Sequence, residues 1–120
     1  MQTSSFFLYA GPGRVSIARF APRNTPAGFR IYKPLAPGPW FNTASYADYL
    51  NLYTAQLDLL DPQSVWDQLH VLAGGADPVL LCYEKPPFTS HNFCHRRMVA
   101  DWFQLTLGKS VTELGHHHHG

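Results

Sequence analysis

No apolar run in the chain reaches about 18 residues, the length that a membrane-spanning helix requires, and the short stretch Ser4–Ala10 lacks the basic flank of a signal peptide. The expectation is a soluble, cytoplasmic protein with no membrane partner. Cysteine is scarce as well: Cys82 and Cys94 are the only two, too few for the dense disulfide framework of a small secreted domain. Free thiols are therefore expected. The net charge of +1 excludes a strong nonspecific electrostatic grip on nucleic acid, although Arg14, Arg19, Arg23 and Arg30 bunch in the first third. Gly11-Pro12-Gly13-Arg14 lacks both the Walker pattern and the full G-x-G-x-x-G spacing, so it is only a weak phosphate-loop signal. Glutamate occurs twice, as Glu84 and Glu113. With no visible acid partner for Glu84, paired-carboxylate hydrolysis finds little support. The chain has no internal repeat.

The length of 120 residues suits one domain over residues 1–114, enough to bury roughly two thirds of the unfolded surface around a single core. Gly115–Gly120 holds four consecutive histidines and looks like a purification tag, set aside in the functional reading. His70, His91 and His95 then remain.

Phe6–Ala10, ended by Gly11-Pro12-Gly13, reads as a first buried strand, and Val15–Phe20 as a second. Five of the ten prolines fall between residues 21 and 42, where nothing regular longer than Phe29–Tyr32 fits. The apolar residues of that segment mark it as packed or functional rather than as a solvated linker. Tyr46, Tyr49, Leu50, Tyr53, Leu57 and Leu60 recur at spacings of three and four, an amphipathic helix over Ser45–Leu60. Asp61 as N-cap, Pro62 at the first position and Gly74-Gly75 at the end bound a second helix over Pro62–Ala73. Val79–Tyr83 is a short apolar run bounded by prolines, a buried strand. A third helix is expected to begin near Asn92–His95, and Lys109–Leu114 to hold a last edge strand. This alternation points to an α/β sandwich with a small, mostly parallel sheet.

Ligands of open α/β sheets bind outside the strand carboxyl ends, and helix N-termini attract anions. The stretch Cys82–Arg97 meets both conditions. Cys94, in the first helical turn beside His95, Arg96 and Arg97, is where a thiol pKa falls, so it is a candidate nucleophile. The competing reading is a packed core cysteine. Cys82, His91, Cys94 and His95 form a donor set zinc accepts, but their C-x8-H-x2-C-H spacing lacks the usual clip, and no metal or other cofactor is expected. Glu84 is a candidate general base or arginine-orienting group, against the plainer reading of a salt bridge to Arg96 or Arg97. Arg19, Arg96 and Arg97 with helix-start amides are candidates for an anion site. Rings among Tyr32, Trp40, Phe41, Tyr46, Tyr49 and Tyr53 offer a stacking surface or core packing.

The segments LLCYEKP (80–86), FCHRRMVADW (93–102), SIAR (16–19) and KPLAP (33–37) resemble the small bacterial and phage proteins of the domain-of-unknown-function family 488, with likeness over nearly the whole chain before the histidines. The resemblance implies a small Rossmann-like α/β fold, here a three-layer sandwich, with Cys82, Glu84, Cys94, His95 and Arg96 clustered. It supplies no established reaction, although a nucleotide or nucleic-acid role is the common suspicion for the family. The segment Pro87–Asn92 is longer than the family's usual link. Three readings result. The first is a pocket for an anionic small molecule, such as a nucleotide or a phosphate-bearing nucleic-acid end, with Arg19, Cys82, Arg96 and Arg97 as binding residues. The second is a thiol enzyme with Cys94 as nucleophile and His95 or Glu84 moving the proton. The third is an interaction module without chemistry.

Overall fold

The computed structural model describes residues 1–84, 89 and 93–114. Strands β1 (Gln2–Ser5), β2 (Arg14–Ser16) and β3 (Arg30–Ile31) come first, followed by helices α1 (Tyr46–Asp58) and α2 (Pro62–Ala73). Strand β4 (Val79–Cys82), helix α3 (His95–Leu107) and strand β5 (Thr112–Glu113) complete the order. The five strands form one sheet in the order β3-β2-β4-β1-β5, with every pair parallel. A small α/β fold with a parallel sheet is therefore what the chain adopts. Among the described residues no helix is long and apolar enough to cross a membrane.

The helices lie where their local signals put them. Ser45 accepts from the Asp48 amide at 3.2 Å and caps α1, whose Tyr49, Tyr53 and Leu57 are buried. Asp61 accepts from the Ser64 amide at 3.1 Å, Pro62 opens α2, and Gly74 ends it in the left-handed region. The first strand differs from expectation: Phe6–Ala10 leaves the sheet in a turn, and β1 is the polar segment Gln2–Ser5 before it. Its buried hydroxyls are individually satisfied. Thr3 donates to Glu113 at 2.7 Å, Ser4 to the Leu114 carbonyl at 3.3 Å, and Ser5 to the Tyr83 carbonyl at 2.9 Å. With those bonds made, a serine and threonine run can occupy a sheet interior. The second strand is likewise only the opening part of Val15–Phe20 together with Arg14.

Chain handedness assigns the two faces of the sheet. Parallel crossovers are right-handed, so β3→β4 and β4→β5, which move the same way across the sheet, place α1, α2 and α3 on one face. There Val15 and Leu80 join Tyr53, Leu57, Leu69, Val99 and Phe103 in the main core. The connections β1→β2 and β2→β3 run the opposite way and cover the other face. On that face Val79 and Leu81 pack with Phe6 and Ala18, flanked by Tyr9, Ala21 and Phe29. The third layer of the expected sandwich is thus built from loops rather than helices.

Candidate functional site

Neighbouring strands β2 and β4 send their chains in opposite directions, β2 across the loop-covered face and β4 into α3 on the helical face. The carboxyl end between them is the switch point at which open α/β sheets leave a crevice. A cavity of about 410 Å³ opens there. Its walls are Ala18, Arg19 and Phe20 after β2, Cys82, Tyr83 and Glu84 ending β4, and Phe93, Cys94 and His95 at the start of α3. Pro37, Phe41 and Tyr49 close it from the proline-rich segment and α1. Of the residues expected to cluster, Cys82, Glu84, Cys94 and His95 line this one cavity together with Arg19, while Arg96 touches Cys82 without lining it. His91 lies outside the described residues.

The cysteines correct the expectation of free thiols. Cys82 and Cys94 are joined in a disulfide, with Cα atoms 6.9 Å apart. Two isolated cysteines gave no sign of pairing in the sequence, because their approach depends on docking the start of α3 against the end of β4. In this state Cys94 has no thiolate, so catalysis by Cys94 requires prior reduction of the bridge. The donor atoms of Cys82, Cys94 and His95 lie within 4.8 Å of one another. The bridge uses both sulfurs and leaves the imidazole as the one strong donor of the three.

His95 is buried, and its Nε2 lies 2.5 Å from the Ile17 carbonyl. A carbonyl only accepts, so Nε2 carries the proton and donates. Nδ1 is then the lone-pair nitrogen, facing Cys94 Sγ at 3.9 Å. Burial pushes the ring's pKa down to about 4, with the Ile17 bond opposing and the Arg96 charge adding to the shift, so the ring is neutral near pH 7. Glu84 moves the other way. Loss of solvent raises its pKa, offset in part by its own backbone amide and by Arg96. Burial likewise raises Tyr49, and the Glu84 charge adds to it.

The arginines divide. Arg19 donates to the Pro37 carbonyl at 3.2 Å and lies over the rings of Phe20 and Phe41, with 5.7 and 5.9 Å to their centroids. It borders the cavity, and no carboxylate among the described residues forms an ion pair with it. Arg96 is instead wholly buried and paired through Nε and Nη2 with both Glu113 oxygens, at 3.0 and 2.8 Å, while Nη1 donates to Cys82 Sγ at 3.1 Å. Arg97 donates to Thr3 Oγ1 at 2.8 Å and to the Val111 carbonyl at 3.1 Å. Neither lines the cavity, which corrects their expected place in an anion site: Glu113 draws Arg96 inward, and Arg97 reaches Thr3 and the Val111 carbonyl instead. The ion pair expected between Glu84 and Arg96 or Arg97 is made by Glu113 with Arg96. Glu113 was legible only as the second glutamate, and the Ile17 carbonyl left no signal at all. Compared with known family models, curated proteins and solved structures, the chain matches none.

Proposed function

We propose that the cavity binds a small anionic molecule of the nucleotide or phosphate-bearing class, with Arg19 as its cationic contact and the aromatic walls as a stacking surface. One observation carries this reading: a guanidinium without a carboxylate partner among the described residues borders a cavity at the switch point of a parallel sheet. Ring faces of Phe20 and Phe41 hold Arg19 in place, which reduces the ordering cost of ligand capture. Phe93 and Tyr49, 4.9 Å apart in an edge-to-face pair, supply apolar surface on the opposite wall. Glu84 orients a ligand hydroxyl from the same wall.

The test is a melting-temperature screen with nucleotides and phosphorylated sugars. A ligand present at a hundred times its Kd stabilises the fold by about 2.7 kcal/mol, a readily measured rise. Arg19→Ala should abolish the rise while leaving the unliganded melting temperature nearly unchanged. No shift with any member of the panel, or an equal shift in Arg19→Ala, overturns the reading.

A further inference from the structure

We propose that Cys82 and Cys94 form a reversible redox couple, exchanging with small thiols and disulfides that enter the cavity. Cys94 is the sulfur attacked, and Cys82 is the leaving and resolving sulfur. The inference shares the cavity described above and does not depend on Arg19 holding an anion.

Four observations carry it. Both residues belong to the smaller core cluster with Phe6, Ala18 and Leu81, and both also line the open cavity. Their exposures of 1 % and 4 % nevertheless admit only a molecule that enters that cavity, so the partner is a low-molecular-weight thiol or disulfide. Cys94 is the N-cap of α3 and makes no capping bond through its side chain. Its sulfur therefore sits at the helix end whose dipole favours a thiolate. Cys82 accepts a hydrogen bond from the Arg96 guanidinium, and a positive donor on the departing sulfur lowers its pKa and speeds its departure. The fixed tautomer of His95 turns a lone pair toward Cys94 Sγ at 3.9 Å, where it can accept a hydrogen bond from the reduced thiol and orient it.

The exchange balances without another reagent. An external thiolate attacks Cys94 Sγ, a new sulfur–sulfur bond forms, and the Cys82–Cys94 bond breaks with its electron pair leaving on Cys82 beside Arg96. A second external thiolate attacks the external sulfur of the mixed disulfide, giving the external disulfide and releasing Cys94. Two external thiols are oxidised and the protein disulfide is reduced, while the protons they shed pass to the two cysteines. In the reverse direction the Cys94 thiol loses its proton to solvent, the thiolate attacks an external disulfide with the external thiolate leaving, and Cys82 resolves the adduct.

The experiment uses the full chain purified without reductant and equilibrated with glutathione and glutathione disulfide at graded ratios, counting thiols after denaturation. The expected result is a reversible change from none to two. Cys82→Ser with glutathione disulfide should hold one glutathione per chain on Cys94, seen by mass. Cys94→Ser should react several-fold more slowly at Cys82, because the helix end favours the Cys94 thiolate. A bridge that excess glutathione cannot reduce until the protein is unfolded overturns the proposal, as does a reduced wild type that glutathione disulfide fails to oxidise. Should Cys82→Ser not fold, reduced wild type treated with limiting iodoacetamide decides, and preferential labelling of Cys82 refutes the assignment. Arg19→Ala should still exchange with neutral 2-mercaptoethanol, so a failed anion reading and a failed redox reading give different results.

Discussion

Arg96 carries a charge into a fully buried position, where the Glu113 carboxylate meets it bidentately. Removing one member of such a pair leaves the other charge uncompensated, which costs about 3–5 kcal/mol, whereas replacing both with apolar residues is far milder. Urea unfolding of Arg96→Met, Glu113→Leu and the double variant should therefore be strongly sub-additive, with the double variant more stable than either single one. His95 sets a pH dependence. Above pH 6.5 its ring is neutral in both states. Below that, the unfolded chain takes up a proton that the folded ring refuses until about pH 4, so stability is lost on acidification through this window. The loss reaches about 3 kcal/mol when the folded ring begins to protonate. Glu84, raised by burial, binds its proton more readily when folded and offsets part of the loss. His95→Gln should flatten the slope between pH 6.5 and pH 4 in urea titrations at a fixed redox state. The candidate residues were legible as types, since Cys, His and Glu beside a helix start mark chemistry. Their pairing was not, because Arg96 chose its carboxylate by spatial approach and not by nearness in sequence.

Two glycines separate a local requirement from a tertiary one at the scale of elements. Gly74 ends α2 at φ 65°, and a Cβ there would meet nothing within 4 Å. Gly74→Ala should thus cost only the left-handed backbone term, about 1–2 kcal/mol. Gly13 combines φ 80° with a Cβ position 2.2 Å from the Asp77 carbonyl oxygen, and its own carbonyl accepts the Val79 amide that opens β4. Gly13→Ala should be much more destabilising in thermal unfolding, and an equal loss at the two sites would contradict this contrast. Helix α2 matched its expected bounds because its start and stop are written locally, in Asp61, Pro62 and Gly74. Strand β1 escaped because Gln2–Ser5 offers no apolar alternation and is held by hydroxyl bonds to distant residues.

For the molecule as a whole, the disulfide fastens the site's two halves, β4 and α3, across 12 positions of sequence. Closing a loop of about that length removes unfolded-state entropy worth about 3 kcal/mol, so reduction should lower the unfolding free energy by up to that amount. The sheet should persist, since Val15, Leu80 and Phe103 are buried in a core that does not include the cysteines. Far-ultraviolet circular dichroism with and without reductant, followed by urea titration, checks both outcomes. A collapse of the secondary-structure signal on reduction would show that the bridge holds the fold together.

By itself the sequence determined the α/β class, three helices and the strand-to-helix junction at Cys82–Arg97, because periodicity, caps and prolines act within a few residues. Only the tertiary structure decided the polar first strand, the cysteine bridge, the His95 tautomer and the division of the arginines. Each of those depends on a carbonyl, carboxylate or sulfur brought in from a distant part of the chain, and that approach is fixed by the parallel order of strands rather than by any local pattern.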